Sequence, residues 1–283
     1  MSIIVKNLSY IYSKNEIFER TAVNDVSFEI NKGDYIGIIG HTGSGKSTLI
    51  QLLSGLLKPA SGSVVIDGID VTDKRTDVKK LRSKVGIVFQ YPEYQLFEET
   101  VYRDIEFGPT NLGFDKSDIK NTIYEVINDL DLPENILEKS PFELSGGQKR
   151  KIAIAGVLAM KPEILILDEP TAGLDPKARR NLLTLIDKLH KEKNITIILV
   201  SHSMEDIASS ADKVLVMSNG SVVMYDKTEV VFSDASKLNE IGLSVPQVTC
   251  VIDKLKQNGI DLGKGIYTVK DAADAIIKYL NNK

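Results

Sequence analysis

One nine-residue stretch restricts the possible folds more than any other part of this 283-residue chain. It reads Gly40-His41-Thr42-Gly43-Ser44-Gly45-Lys46-Ser47-Thr48 and fits the phosphate-loop pattern G-x-x-x-x-G-K-[ST]. An apolar, β-branched run from Tyr35 to Ile39 precedes it, and leucines at helical spacing follow it at positions 49, 52, 53, 56 and 57. The pattern therefore predicts a buried strand, a glycine loop and a helix, and an isolated glycine turn does not account for both flanks.

The loop has the chemistry of a binding site for a nucleoside triphosphate. Glycines allow backbone N–H groups to curl around phosphate oxygens, and the helix N-terminus adds its dipole. Lys46 is predicted to reach the β- and γ-phosphates, and the Ser47 hydroxyl to reach Mg²⁺. The residues expected to contact the nucleotide here are Gly40, Thr42, Gly43, Ser44, Gly45, Lys46, Ser47 and Thr48.

Composition narrows the class of protein. Hydrophobic residues make up 42% and charged residues 26%, which is ordinary for a globular protein, and the length suggests two modest domains. The net charge of -4 disfavours nucleic acid as a partner, and the single cysteine, Cys250, agrees with a reducing compartment. Met1 to Lys6 lack the features of a signal peptide, and no apolar run is long enough to span a membrane, so we expect a cytoplasmic protein.

Polar side chains follow three further apolar strands. Asp168 and Glu169 come directly after Ile164 to Leu167, which predicts a Mg²⁺ ligand and a proton acceptor for attacking water. Gln90 follows residues 85 to 89 and is either a magnesium ligand or a strand-end residue that meets water. His202 follows residues 195 to 200 and either contacts the γ-phosphate or caps its own loop.

A second anion-binding surface is predicted at Leu144-Ser145-Gly146-Gly147-Gln148, where a helix reaching Met160 begins. The serine hydroxyl and the free amides of the glycines suit a phosphate. One chain cannot easily bring this surface to its own phosphate loop. If both surfaces hold the same ATP, a second chain must supply one of them. Ahead of the loop, either Tyr10 or Tyr12 could stack on adenine, or both are half-buried strand residues.

The rest of the chain divides in two. Helices are predicted at 101–112, 116–130 and 146–160, and a hairpin turns at Asn219-Gly220. We expect the nucleotide-binding domain to occupy residues 1–232. Residues 233–283 show two helices, at 246–258 and 269–280, without identifiable chemistry, so this tail is interpreted as an interaction domain.

Together these motifs, in this order, resemble those of ABC-type ATPases, most closely the ATP-binding subunit of energy-coupling factor (ECF) transporters. The resemblance implies a mixed sheet core with an antiparallel β-subdomain, a helical subdomain at about 91–160 and a small α-rich C-terminal domain. It implies a dimer in which the phosphate loop of one chain faces Ser145, Gly146, Gly147 and Gln148 of the other, with two ATP molecules between them. It also implies that Tyr12 stacks on adenine, Gln90 is the Q-loop residue, Asp175 lies in the D-loop and His202 is the switch histidine.

The subtype and partners are also implied by this resemblance. Residues 90–101 and 104–113 look like the second, or A-prime, ATPase of ECF modules, which favours a heterodimer over a homodimer, and the tail resembles their dimerisation domain. The expected partners are a second ATPase subunit, a transmembrane coupling subunit gripped near Leu96 and Phe97, and, indirectly, a substrate-binding membrane subunit. The protein would then act peripherally at the cytoplasmic face of the membrane and drive uptake of vitamins or transition-metal ions.

The nearest alternative function is that of the ATPase of a conventional ABC importer for amino acids or metals. The short interval between residues 48 and 144 cannot hold the coiled coil of DNA-repair types, and translation types usually carry two cassettes in one chain. A regulatory module without turnover is disfavoured by the presence of Glu169 and His202.

Overall fold

The computed structural model describes residues 3–73, 75–263 and 265–281. Met1 and Ser2, at the start of the stretch considered as a possible leader, and the last two positions of the predicted C-terminal domain lie outside the described residues.

The described residues form ten strands, which are β1 (Ile3–Tyr12), β2 (Arg20–Ile30), β3 (Tyr35–Gly40), β4 (Ser61–Ile66), β5 (Ile69–Asp70), β6 (Val85–Val88), β7 (Ile164–Asp168), β8 (Thr196–Val200), β9 (Lys213–Ser218) and β10 (Ser221–Lys227). The α-helices are α1 (Lys46–Leu53), α2 (Val78–Lys84), α3 (Val101–Leu112), α4 (Lys116–Asp129), α5 (Gly146–Leu158), α6 (Pro176–Lys193), α7 (Met204–Ser210), α8 (Thr228–Ser233), α9 (Ala235–Glu240), α10 (Gln247–Gln257) and α11 (Val269–Asn281). Short 3-10 turns lie at Pro92–Gln95, Glu134–Glu138 and Pro141–Glu143.

A six-stranded sheet in the order β10-β9-β3-β8-β7-β6 forms the centre of the molecule. Its strands run parallel except β10, which pairs with β9 through the predicted Asn219-Gly220 turn. Strands β3, β7 and β8 are buried along their whole length, as the uninterrupted apolar runs predict for a sheet covered on both faces.

The central sheet separates two apolar cores. Because side chains alternate along a strand, Ile164 and Ile166 of β7 enter one core while Leu165 and Leu167 enter the other. A four-stranded antiparallel sheet in the order β2-β1-β4-β5 covers the first core together with α1. This arrangement is the mixed sheet with an antiparallel β-subdomain that the sequence led us to expect.

Helices cover the second core. The helical layer built from α3, α4 and α5 contributes Ile105, Ile123, Ile127 and Ile154, all fully buried. The predicted bounds of α3 match the structure, whereas α1 ends at Leu53 and does not continue through Leu57. Gly55, in the left-handed region with φ 71°, turns the chain away just after the helix end.

The segment after residue 232 is more integrated than its sequence indicates. The short helices α8 and α9 have no counterpart in the sequence analysis, because six residues are too few to display helical periodicity. Leu238, Leu243 and Val245 nevertheless pack in the same core as Phe232. A separate small cluster, formed by Ile252, Ile266 and Ala272, holds α10 and α11 together. This packing favours a domain boundary near residue 246 over one near 232.

Within residues 3–73, 75–263 and 265–281, no helix combines the length and the apolar character that crossing a membrane requires.

We expect Leu238→Ala to destabilise the main apolar core by about 2–5 kcal/mol, because the substitution leaves a cavity at a fully buried site. Thermal unfolding followed by circular dichroism measures the change. Ile252→Ala, a similar truncation in the separate cluster, serves as the matched control and should leave the main transition in place. Equal shifts of the main transition in both variants would argue against a boundary near residue 246.

Candidate active site

The glycine loop joins β3 to α1 in a conformation that only glycine accommodates at its end. Gly45 has φ 103°, and a Cβ atom there would lie 2.2 Å from the backbone oxygen of Ala22. A Cβ atom on Gly40 would lie 2.4 Å from the backbone oxygen of Met217. The loop is thus wedged between neighbouring strands, and its exposed side is left to backbone N–H groups and small side chains.

Lys46 is buried beneath this loop. Its Nζ atom donates to the backbone oxygens of Gly40 and His41 at 2.8 and 3.0 Å, and the residue is only 5% exposed. Burial lowers the pKa of the ammonium, while the nearby carboxylates of Glu169 and Asp168 act in the opposite direction. Both hydrogen-bond acceptors of this cation are neutral carbonyl oxygens, and no anionic group among the described residues is in hydrogen-bonding contact with it. A bound phosphate would supply the missing negative charge.

Ser44 gives a second sign that the loop is built for a ligand. Its hydroxyl is fully buried and has no hydrogen-bond partner within the described part of the chain. An unsatisfied buried hydroxyl is costly and calls for an explanation, which an anion or ordered water in the loop provides.

A cleft of about 180 Å³ opens beside the loop and is lined by Tyr12, Arg20, Ala22, Gly43, Gly45, Lys46, Ser47 and Thr48. The Tyr12 hydroxyl and the Thr48 hydroxyl lie 3.2 Å apart in hydrogen-bonding contact, and the tyrosine is 40% exposed. Tyr10 packs edge-on against Tyr12 at a centroid distance of 4.8 Å and does not line the cleft. Of the two tyrosines considered from the sequence, the geometry favours Tyr12 as the aromatic residue available to a base.

Arg20 is a cleft residue that the sequence analysis missed. The antiparallel register of β1 and β2 pairs it directly with Tyr12, and its Nη2 atom lies 3.1 Å from the position a Cβ on Gly43 would take. A lone arginine at the start of a strand carries no motif. Only the length of the connection from Ser13 to Glu19, which sets the register, could have indicated it.

The carboxyl ends of three adjacent strands bring the predicted catalytic side chains together. Gln90 follows β6, Glu169 follows β7 and His202 follows β8. Gln90 Nε2 donates to Glu169 Oε2 at 3.1 Å, and His202 Nε2 lies 2.7 Å from Glu169 Oε1. The structure thus brings these three side chains together, and each oxygen of the Glu169 carboxylate has its own partner.

Glu169 is held in an unusual backbone conformation. Its φ of 48° lies in the left-handed region, which side chains larger than glycine seldom adopt. Hydrogen bonds of its N–H to the Val200 oxygen and of its oxygen to the Ala172 N–H hold it there. Such strain, of order 1–3 kcal/mol, is typical of functional sites.

Asp168 lies one residue earlier, at the end of β7, and is directed toward α1. Burial raises the pKa of its carboxyl, the charge of Glu169 adds to the rise, and a hydrogen bond with Ser47 opposes it. The Ser47 hydroxyl and the Asp168 carboxylate, which are in contact, offer oxygen ligands of the kind that Mg²⁺ prefers. No group of three His, Cys, Asp or Glu suited to a metal occurs within the described residues, so a hydroxyl or amide oxygen would have to take part.

The second predicted anion surface lies at the start of α5. Ser145 and Gln148 form a capping box, in which the Ser145 hydroxyl accepts from the Gln148 N–H and Gln148 Oε1 accepts from the Ser145 N–H. Apart from the adjoining residues and the backbone of α5 itself, no described atom lies within 4 Å of a Cβ built on Gly146 or Gly147, so this helix end is open. Ser145, Gly147 and Gln148 line a different cleft of about 340 Å³.

Among the described residues, none lines both this cleft and the one beside the glycine loop. The two anion surfaces of one chain are therefore separate. Asp175, expected in the D-loop, caps α6 by accepting from the N–H groups of Lys177 and Ala178, and these bonds lower its pKa.

Comparison with known proteins supplies a family. The model of the family described as ABC transporter matches residues 23–172. Relatives called energy-coupling factor transporter ATP-binding protein EcfA2 include those of Clostridioides difficile, 54% identical, and Clostridium tetani, 52% identical, each covering 100% of this chain and 99% of the relative. The relative from Caldanaerobacter subterraneus subsp. tengcongensis is 50% identical over 99% of this chain and 98% of its own length.

Solved structures agree with the sequence relatives. The chain called cbiO1 from Clostridium perfringens, described as part of the ABC transporter complex cbiONQ, matches with a TM-score of 0.74 and 36% identity over 89% of this chain and 98% of that one. The ATP-binding cassette MJ0796, solved as a dimer in a post-hydrolysis state with ADP and Pi, matches with a TM-score of 0.71 and 29% identity over 80% and 98%. The fold around the site is thus that of known ATP-binding cassettes.

We expect Lys46→Ala to weaken ATP binding roughly 10- to 100-fold, because a charge-assisted hydrogen bond to phosphate contributes about 1.5–3 kcal/mol. Equilibrium titration with a fluorescent ATP analogue measures the change. His41→Ala, in the same loop, is the matched control and should leave affinity nearly unchanged, since Lys46 contacts only the backbone oxygen of His41. Wild-type affinity in the Lys46 variant would contradict the assignment of the loop.

Proposed function

The chain belongs to the family of energy-coupling factor ABC transporter ATP-binding proteins, and we propose that its ATPase cycle uses Mg²⁺ and drives a peripheral complex of two ATPase chains docked to a membrane coupling subunit. The observation that carries the catalytic part is the Glu169 carboxylate, held by Gln90 and His202 beside the phosphate loop. One edge of the central sheet therefore carries a proton acceptor, a phosphate-binding loop and residues suited to hold a metal.

ATP binding follows from the cleft beside the loop. Tyr12 stacks on the adenine ring, and the loop N–H groups surround the phosphates with Lys46 balancing their charge. Arg20, opposite Tyr12, provides a second cation at the rim of the cleft. The buried Ser44 hydroxyl donates into the loop, where the structure leaves it unpaired among the described residues.

Ser47, Asp168 and Gln90 are the residues that would hold Mg²⁺. When bound, the ion neutralises charge on the β- and γ-phosphate oxygens. The contact of Ser47 with Asp168 keeps the two first ligands together, and the raised pKa of Asp168 reflects a buried carboxyl that a nearby cation would favour in its ionised form.

Hydrolysis is assigned to Glu169. Its carboxylate accepts the proton of the water that attacks the γ-phosphate, while the hydrogen bond from Gln90 and the close contact with His202 orient its two oxygens. Gln90 begins the segment that leads to the helical layer. A shift of that layer would therefore move the amide that donates to the Glu169 carboxylate. Turnover is in this way made sensitive to the position of the helices.

A second ATPase chain completes the site. Ser145, Gly146 and Gly147 of that chain would close over the phosphates bound to this one, which agrees with their open helix end and with the separation of the two clefts within one chain. The MJ0796 cassette was solved as a dimer. The resemblance of residues 90–101 and 104–113 to the A-prime type favours a heterodimer, with a homodimer as the alternative outcome.

The tail supplies a second contact surface between the chains. Helices α10 and α11 bury few residues against each other and leave Val251, Val269, Ile277 and Leu280 more than half exposed. A patch of this kind marks an interaction site, and we assign it to the second ATPase chain.

We assign the docking site for the membrane coupling subunit to an aromatic patch on the helical layer. Phe97 and Phe107 pack edge-to-face at 5.0 Å and remain 58% and 48% exposed, and Tyr94 nearby is 83% exposed. The Asp104 carboxylate accepts from the N–H groups of Phe97 and Glu98 and thereby fixes the loop to α3. Such a rigid apolar patch suits a short helix from the cytoplasmic side of a membrane protein, and through it a substrate-binding membrane subunit that takes up vitamins or transition-metal ions.

We expect Glu169→Gln to bind ATP normally but to lose turnover by about 10²–10⁴-fold, because the amide cannot accept the proton. Phosphate release and ATP affinity are measured on the same preparation, and native mass spectrometry shows whether the bound state is a dimer. Glu163→Gln, the same change just before the other end of β7, is the control and should retain turnover. Wild-type hydrolysis by the Glu169 variant would remove it as the proton acceptor.

We expect Phe97→Ala to reduce recovery of the membrane coupling subunit in affinity purification from native membranes, while ATP affinity of the isolated chain is kept. Tyr124→Ala, an exposed aromatic on α4 outside the patch, is the control. Wild-type recovery with the Phe97 variant would place the docking surface elsewhere. Membrane partners that lack a small substrate-binding protein would instead identify a conventional ABC importer.

A further inference from the structure

Arg150 has the most extensive buried polar network in the described helical layer, and the catalytic scheme above gives it no role. The residue is the fifth of α5 and is only 3% exposed. Its Nε and Nη2 atoms donate to the two carboxylate oxygens of Glu93 at 3.0 and 2.6 Å. Its Nη1 atom donates to the backbone oxygens of Pro170 and Ala172 at 2.9 and 2.8 Å.

These contacts join three segments that are distant in sequence. Glu93 follows Gln90 in the same loop, and Pro170 directly follows Glu169. A bidentate guanidinium–carboxylate pair is both strong and directional, and lysine cannot reproduce its geometry. The start of α5 is therefore rigidly connected to the loop that carries Gln90 and to the turn that follows Glu169.

The strained backbone explains why such a connection would matter. Glu169 has φ 48°, and its conformation persists only where the surroundings hold it. Two of the carbonyls in the turn that follows are bound by one side chain, Arg150. Any displacement of Arg150 would relax this turn and change where the Glu169 carboxylate lies.

We propose that Arg150 is a positioning residue that couples the two nucleotide sites of the ATPase pair. The inference rests on the proposed function, in which Ser145 to Gly147 meet the nucleotide held by the partner chain while Glu169 acts on the nucleotide held by its own. ATP on the partner's loop fixes the start of α5, and Arg150 transmits that position to Glu169 and to the Gln90 loop. Each site then hydrolyses ATP only when the other is filled.

The test uses the assembled transporter complex with Arg150→Lys or Glu93→Gln in this chain. We expect both variants to lower the Hill coefficient of ATP hydrolysis toward 1, which corresponds to losing a coupling between the sites of at least about 5-fold, and to reduce kcat. ATP affinity at the phosphate loop should stay unchanged, since Arg150 does not line that cleft. The double variant should lose no more than the stronger single one, because the two residues act as one unit.

A merely structural role predicts a different result. It would lower the thermal midpoint and the active fraction, but the remaining complexes would keep the wild-type Hill coefficient. Glu93→Gln keeps the shape of its side chain and guards against a folding defect in the Arg150 variant. Arg103→Lys is the matched control, because among the described residues the Arg103 guanidinium pairs only with the exposed Glu99 in the same helical layer.

Unchanged Hill coefficients in both variants, within a complex whose wild type is cooperative, would overturn the coupling and leave the transport function intact. A wild-type chain that hydrolyses ATP alone, without cooperativity and without a second ATPase chain, would overturn both.

Discussion

The register of the parallel strands is the constraint on which the site depends. Asp168 at the end of β7 lies level with Val200 of β8, and Val200 lies level with Ile38 of β3. The chain therefore leaves all three strands at the same edge of the sheet. After β3 it forms the phosphate loop, and after β7 and β8 it carries Glu169 and His202. Side chains separated by more than a hundred residues meet because backbone hydrogen bonds align the strands that carry them.

Around this edge the chain accepts local costs that a purely structural fold would avoid. Lys46 is buried against carbonyls, the Ser44 hydroxyl has no partner among the described residues, and Glu169 takes a left-handed backbone conformation. Each would be relieved or exploited by a bound triphosphate and its metal. The two large apolar cores on either face of the sheet supply the stability that makes such a site tolerable.

In the proposed function, the helical layer connects the site mechanically to other proteins. Its aromatic patch around Phe97, the loop that carries Gln90 and the start of α5 belong to one packed unit. Arg150 ties that unit to the turn after Glu169 by hydrogen bonds that are short and buried. In the proposed complex, a movement of the helical layer would thus reach the Glu169 carboxylate through hydrogen-bonded, packed elements.

The sequence by itself determined the chemistry and the family, because a phosphate loop, two carboxylates after an apolar strand, and the Ser145 helix start are contiguous patterns with local physical meaning. The convergence of Gln90, Glu169 and His202 was also predictable, since carboxyl ends of parallel strands share an edge. Arg20 beside Tyr12, the packing of Leu238 in the main core and the Arg150 network were decided only by the tertiary structure. These contacts depend on strand register, on helices too short to show a period and on the packing of distant segments, none of which a local pattern encodes.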